Sequence, residues 1–185
     1  MNLAFTKKAS PLVILHVYLM LTASLVAASN TTTTVAAPYD ISEYEKTTYY
    51  HGISPDPPEL LYRSDLHSNP FPKPVGRHPH PPTKSIYGVF NTPLNAVWGT
   101  VAPQIRDLLK ARKIRYSTIQ TARFLTHGED DKDHFGPIVI WIATYPATTT
   151  AKNAYDASPY ILALLEANGV EGAVVEWYEG VVERL

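Results

Sequence analysis

A polar segment past the middle of the chain holds its densest group of residues suited to acid–base or metal chemistry. Its members are His127, Glu129, Asp130, Asp131, Asp133 and His134. Paired carboxylates can hold calcium or act as general acid and base. An EF-hand loop, however, needs alternating acids, a central glycine and a glutamate at its twelfth position, and this segment has none of these. The pattern favours a solvated turn at the tip of a hairpin.

Histidines in a proline-rich segment form a second candidate. His78 and His80 alternate along the chain, and Asp65 and His67 precede them. Alternate histidines in an extended segment can approach one metal ion. The neighbouring prolines favour a backbone with three residues per turn, which points the two imidazoles in different directions. We therefore assign no metal ligand, catalytic residue or cofactor-binding residue from the sequence, and we expect no cofactor.

Nucleophilic catalysis has no recognisable signature in the sequence. The chain lacks cysteine and a G-x-S-x-G elbow, and Ser54, Ser117 and Ser158 adjoin no base motif. Glycine-rich phosphate-binding loops are also absent from the sequence. Glu176 and Glu179 lie in a predicted strand, where their odd spacing places them on opposite faces. That spacing argues against a catalytic carboxylate pair.

One basic cluster is present, and it comprises Arg106, Lys110, Arg112, Lys113 and Arg115. Cations near the C-terminus of a helix interact favourably with the helix dipole, so the cluster does not require a ligand. The chain has a net charge of −1 and no RNA-recognition signature. We expect no nucleic-acid partner; an unidentified protein partner and self-association through the sheet both remain open.

The elements that position these residues follow from hydrophobic spacing. Alternation and apolar runs predict strands at residues 86–90, 116–125, 138–145 and 173–178. Helical spacing predicts one helix from about residue 100 to 112, with Pro103 in its first turn. It predicts a second helix over residues 150–168, interrupted where Ser158 and Pro159 form a cap. This order is that of a ferredoxin-like βαββαβ sheet with two helices, an α+β fold.

Both faces of the predicted strand at residues 138–145 are apolar, so both must be covered. Ile138, Ile140 and Ile142 form one face, and Val139, Trp141 and Ala143 form the other. Two helices cover one face. We expect a proline-rich extended arm, residues 49–84, to cover the other, with dimerisation through the sheet as the alternative. Nine prolines lie between Pro55 and Pro82, and we expect them to exclude regular helix and sheet ladders within the arm.

The sequence of the N-terminal segment predicts that the protein is exported from the cytosol. Lys7 and Lys8 precede an uncharged apolar run at residues 11–28, which small residues follow, as in a secretory signal peptide spanning residues 1–29. A single-pass membrane anchor is the alternative, because 18 residues at about 1.5 Å each nearly span a bilayer. Either way the body lies outside the cytosol. We expect residues 30–48 to form a flexible threonine-rich spacer and residues 85–185 to form the α+β domain.

Four segments together resemble a large, functionally uncharacterised family of fungal proteins. They are residues 49–65, beginning YYHGISPDPP, residues 88–105, residues 136–151, which read GPIVIWIATYPATTTA, and residues 169–185. The similarity covers residues 49–185. The resemblance implies that this chain is a short or truncated member of that family, because longer members carry a downstream domain related to trypsin-like proteases. It implies no catalytic residue in this chain.

These observations favour a non-catalytic, exported α+β module that binds or supports a partner. The alternative is a small metal-dependent enzyme that uses the arm histidines and the acids of the hairpin turn. Neither the spacing nor the composition identifies a ligand.

Overall fold

The computed structural model describes residues 36–73, 81–127 and 133–181. These residues form three helices and six strands, which confirms the predicted α+β class. In chain order the elements are α1 (Glu43–Thr48), β1 (Leu60–Arg63), β2 (Thr83–Tyr87), α2 (Pro93–Ala111), β3 (Tyr116–His127), β4 (His134–Phe135), β5 (Val139–Thr144), α3 (Ala151–Ala167) and β6 (Val174–Glu179). The predicted signal segment lies outside the described residues. None of the described helices is long and apolar enough to cross a bilayer.

The strands form one curled sheet in the order β1-β6-β5-β3-β2, and β4 pairs with β3 beside this path. The ferredoxin-like order is not confirmed. In a ferredoxin-like sheet the first strand of the motif, here β2, would pair in parallel with the third strand, here β5. Instead, β2 lies at the edge of the sheet and pairs antiparallel with β3. The long strand β3 explains the difference, because residues 116–122 pair with β5 and residues 123–127 pair with β2. Among the described strands only β5 and β6 pair in parallel.

The alternation along β5 divides the interior into two cores, as predicted. Ile140 and Ile142 pack against apolar residues of α2 and α3. Val139, Trp141 and Ala143 face the other side, where they pack with Tyr49, Tyr50 and Leu60 of the arm. The arm residues described here therefore cover the second face of the sheet.

The arm also supplies a strand, and the prediction that its prolines exclude sheet ladders is wrong. β1 pairs antiparallel with β6, with Leu60 opposite Tyr178 and Arg63 opposite Glu176. No proline lies within Leu60–Arg63, and the strand lies at the sheet edge, where only one side needs backbone partners.

Both long helices differ from the prediction at their prolines. α2 begins at Pro93, seven residues before the predicted start, because the side chain of Asn95 accepts a hydrogen bond from the Thr92 amide and caps the first turn. α3 continues through Pro159 without a new start. Ser158 does not cap a helix; its hydroxyl donates to the Ala154 carbonyl and accepts from the Trp177 indole.

Candidate functional site

The strand β2 presents polar side chains to two different environments. Side chains alternate along a strand, so Lys84 faces the second core and Ser85 faces the opposite side. Lys84 is 7% exposed, while Ser85 is half-buried. We call the polar residues around Lys84 the inner cluster, namely Glu45, Tyr49, Tyr50, Arg63, Asp65, Lys84 and Glu176. We call Ser85, His127 and Asp133 the outer triad.

A buried carboxylate lies at the centre of the inner cluster. Glu176 on β6 is 2% exposed, and its two oxygens accept hydrogen bonds of 2.7 Å and 2.8 Å from the hydroxyls of Tyr49 and Tyr50. The Tyr50 oxygen in turn accepts from the Trp141 indole at 3.0 Å. Burial raises the pKa of Glu176, while the charge of Lys84 and the two phenol hydrogen bonds oppose that rise. Both phenols have pKa values well above the usual 10, chiefly because they are buried.

Arg63 on β1 is fully buried, and only part of its guanidinium is satisfied. Its Nε donates to Glu45 at 2.7 Å, and its Nη1 donates to Asp65 at 2.9 Å. Its Nη2 has no hydrogen-bond partner among the described residues. A buried N–H group without an acceptor costs about 1–3 kcal/mol, so Nη2 is a donor whose desolvation the described residues leave uncompensated.

Lys84 is the second cation of the inner cluster. Its Nζ lies 3.2 Å from the centre of the Tyr49 ring, in a cation–π contact. No carboxylate oxygen of the described residues comes within 4.0 Å of it. Burial lowers the pKa of Lys84 to about 8, and the negative charge of Glu176 partly opposes this shift. The amine is therefore largely charged at neutral pH and half neutral near pH 8.

A cavity of about 200 Å³ opens between the arm and the sheet. Its wall includes Arg63, Lys84, Tyr49, Phe71 and Thr126. A smaller cavity of about 60 Å³ shares Tyr49, Lys84 and Thr126 and reaches Glu176. An engineered protein cavity of about 150 Å³ is large enough for benzene, so the larger cavity suits a compact small molecule. We call the two together the inner cavity.

The outer triad has the connectivity of a hydroxyl, an imidazole and a carboxylate in series. The Ser85 Oγ lies 2.8 Å from the His127 Nε2, and the His127 Nδ1 lies 3.2 Å from both carboxylate oxygens of Asp133. The strand register produces this contact, because Thr83 pairs with His127 and Ser85 with Leu125. The side chains of His127 and Asp133 are 39% and 44% exposed.

The hairpin residues singled out by the sequence separate in the structure. His127 and Asp133 meet in the outer triad, whereas His134 lines the inner cavity on the other face of the sheet. Glu129, Asp130 and Asp131 lie outside the described residues, as do His78 and His80 of the arm. In residues 36–73, 81–127 and 133–181 no three histidine or acidic side chains lie close enough to share a metal ion.

The other residues that the sequence suggested as site residues form ion pairs, hydrogen bonds or cation–π contacts with neighbouring groups of the fold. Asp65 pairs with Arg63, and the His67 Nε2 lies 2.9 Å from the Pro38 carbonyl oxygen. In the basic cluster, Arg106 pairs with Asp107, while Arg112 lies over the Tyr160 ring. The hydroxyl of Ser117 donates to the Gly180 carbonyl. As expected, Glu176 and Glu179 diverge; Glu179 accepts from the Ala147 amide.

Sequence reasoning missed Tyr49, Tyr50, Arg63, Lys84 and Ser85 as site residues. No local motif marks them, since Tyr49 meets Glu176 across 127 positions and Ser85 meets His127 across 42. The one usable signal was Glu176 itself. It is an acid in the interior of a strand that is otherwise apolar, and a buried acid needs partners.

Comparison with known proteins adds no family to this picture. No family model, curated protein or solved structure matches the chain. The resemblance to fungal proteins therefore stays a prediction, and function has to be argued from the inner cavity and the outer triad.

Proposed function

We propose that this protein is a binding module that holds a small, uncharged molecule with a carbonyl or similar acceptor oxygen in the inner cavity. The observation that carries the proposal is the buried Arg63 Nη2, which has no acceptor among the described residues. The apolar segment at residues 11–28 supports an exported location for the module.

Arg63 is held ready for such a ligand. Glu45 and Asp65 fix two of its nitrogens, so the direction of the third is set before any ligand arrives. A ligand oxygen that reaches Nη2 would relieve the desolvation penalty of that donor. A preordered donor of this kind favours binding because little side-chain entropy is lost on association.

Charge balance favours an uncharged ligand over an anion. Three carboxylates, those of Glu45, Asp65 and Glu176, surround two cations, those of Arg63 and Lys84. An added anion would increase the negative excess in a region where water does not screen it. An acceptor oxygen on a neutral molecule uses the free donor of Arg63 and adds no charge. A cationic ligand would gain from the carboxylates but would leave Nη2 unsatisfied.

Two tryptophan indoles on opposite faces of the sheet provide the test. The Trp141 indole bonds to Tyr50 in the second core, while the Trp177 indole bonds to Ser158 in the helical core. Titration with acetamide, acetate and methylammonium is followed by the indole N–H signals in heteronuclear NMR spectra. We expect a saturable shift of the Trp141 signal with acetamide, a weaker effect with acetate, and no change at Trp177.

A matched pair of arginine variants locates the site. Arg63→Lys keeps the charge but removes Nη2 together with the nitrogens that bond Glu45 and Asp65, and it should weaken acetamide binding by at least about tenfold, equivalent to about 1.4 kcal/mol for one lost hydrogen bond. Arg112→Lys changes an arginine on the other side of the sheet and should leave binding unchanged. No saturable Trp141 shift with any of the three probes would refute the binding module. Tighter binding of acetate than of acetamide would refute the preference for a neutral ligand.

A further inference from the structure

We propose that Ser85 is a nucleophile for acyl transfer, with His127 as its general base and Asp133 as the group that orients the imidazole. The substrate class is a small ester with an apolar or aromatic portion. This site lies on the face of β2 opposite the inner cavity, so the inference goes beyond the proposed binding function and does not depend on it.

The atoms that meet in the outer triad are those that this chemistry requires. Nδ1 faces the carboxylate of Asp133 and Nε2 faces the hydroxyl of Ser85. With a proton on Nδ1, donated to Asp133, the lone pair of Nε2 can accept the hydroxyl proton. Serine, histidine and acid recur in this connectivity on unrelated folds, in different chain orders, so the absence of a sequence motif does not argue against it.

A backbone donor lies next to the nucleophile. The Lys84 amide donates to the His51 carbonyl at 2.7 Å, away from β3. Amides alternate in direction along an antiparallel strand, so the Ile86 amide also points away from β3. It has no backbone acceptor among the described residues. In the nucleophile elbow of α/β-hydrolases, the amide that follows the serine stabilises the oxyanion, and Ile86 is the residue that follows Ser85 in this strand.

The surface beside Ser85 carries two aromatic rings, and the Arg123 guanidinium lies over one of them. Tyr87 lies two positions along β2 on the same face, and its ring is 5.6 Å from that of Phe135. Both rings are more than two-fifths exposed. Exposed aromatic side chains of this kind can hold the apolar part of an ester against the strand. The open surface favours a small or flexible substrate.

The reaction balances with water alone. The Ser85 oxygen bonds to the acyl carbon as its proton passes to the His127 Nε2, and the carbonyl oxygen takes up negative charge near the Ile86 amide. The bond to the alcohol then breaks, and the alcohol leaves with the proton from Nε2. Water attacks the resulting acyl-serine ester in the same way, which releases the acid and restores Ser85.

Labelling with an alkyl fluorophosphonate tests the nucleophile directly. Ser85 would displace fluoride and retain the phosphonyl group, and peptide mass spectrometry would locate the adduct. We expect the adduct at Ser85 and none at Ser117, a matched strand serine whose hydroxyl bonds to a carbonyl. His127→Gln should slow labelling by about a hundredfold, as for loss of a general base, and Asp133→Asn by a smaller factor. Hydrolysis of p-nitrophenyl butyrate should fall in parallel.

The wild-type result alone can overturn the inference. Absence of a Ser85 adduct, under conditions that label a known serine hydrolase, refutes it without any variant. A Ser85 adduct that forms at an unchanged rate in folded His127→Gln also refutes it, because the imidazole would then have no role. Ser85→Ala should abolish esterase activity and leave the acetamide titration of Trp141 unchanged, so this site and the inner cavity can fail separately.

Discussion

Lys84 and Ser85 are neighbours in sequence, yet one lies in the interior and the other at the surface. The side chains of the inner cluster around Lys84 are at most 13% exposed, whereas the imidazole and the carboxylate of the outer triad are about two-fifths exposed. The shortest hydrogen bond of each region has nearly the same length, 2.7 Å in the inner cluster and 2.8 Å in the outer triad. What differs is the screening of charge, because water and salt weaken electrostatic interactions outside and not inside.

The difference assigns separate tasks to the two faces of one strand. Inside, the polar groups hold the arm against the sheet, and each missing partner leaves another buried polar group unsatisfied. Outside, loss of a partner exposes a group to water at little cost. The inner cluster should therefore govern stability, and the outer triad should affect only chemistry.

Removal of the central carboxylate should have the largest effect. Glu176→Ala deprives Tyr49 and Tyr50 of their acceptor and removes the negative charge that acts most strongly on Lys84. We expect the free energy of unfolding to fall by about 2–5 kcal/mol, because two buried phenol donors are each left without an acceptor. Urea unfolding measures this, with Glu179→Ala as the control on the same strand. Equal losses for the two variants would show that burial of the inner cluster does not matter.

The pH dependence of stability should report the burial of Lys84. Its folded pKa of about 8 lies below the ordinary value of 10.5, so the unfolded chain binds more protons between these values. Stability contributed by this group therefore rises with pH above about 8. Burial is the main cause of the lowered pKa and the charge of Arg63 adds to it, whereas the carboxylates of Glu176, Asp65 and Glu45 oppose it.

Comparison with a variant isolates this effect. Relative to Lys84→Met, the wild type should gain about 2 kcal/mol between about pH 7 and about pH 9.5, before the tyrosines titrate. Lys152 is exposed, and its bond to Asp156 raises its pKa. Lys152→Met should show no such gain. A wild-type curve parallel to that of Lys84→Met would contradict the burial of the amine.

A smaller loss is expected from the second phenol. Tyr50→Phe removes a donor to Glu176 and the acceptor of the Trp141 indole, which should cost about 1–2 kcal/mol. Tyr178→Phe is the matched control, because Tyr178 packs in the same core without a hydrogen bond from its hydroxyl to the described residues. Thermal unfolding of the two variants should separate them; coincident transitions would show that the hydrogen bonds of Tyr50 add nothing.

The outer triad should have the smallest effect on stability. His127→Gln should change the free energy of unfolding by less than about 0.5 kcal/mol, because both partners of the imidazole can bond to water instead. Urea unfolding at low and at high salt measures the change. A loss above about 2 kcal/mol would erase the contrast between the faces and indicate that the triad is structural.

The sequence predicted what depends on local pattern. Alternation along β5 correctly separated Ile140 and Ile142 from Val139 and Trp141, because the period of a strand is two wherever it pairs. Strand order was not predictable in this way. Whether β2 pairs with β3 or lies beside β5 depends on contacts between distant segments, and both arrangements satisfy the same alternation.

The sequence did not reveal the outer triad for the same reason, because its contacts depend on how distant strands pair. Serine and histidine meet only once β2 and β3 pair in one particular register, and a shift of one residue would place Ser85 on the inner face. Tyr49 and Tyr50 precede the prolines, where nothing indicates that their hydroxyls reach a strand near the end of the chain. Three predictions that relied on prolines were wrong, because β1 forms within the proline-rich arm and because Pro103 and Pro159 lie within continuous helices.

The turn at His51 and Gly52 also affects the exposed edge of the sheet at β2. Gly52 has a φ of +95°, and a side chain there would lie 3.1 Å from the backbone of Lys84. Because of this close approach, the His51 carbonyl accepts a hydrogen bond from the Lys84 amide, which points outward at the edge of the sheet. An uncovered edge strand is a template on which further chains add and form fibres. A glycine that seats one turn therefore shortens that template and favours a protein that remains soluble.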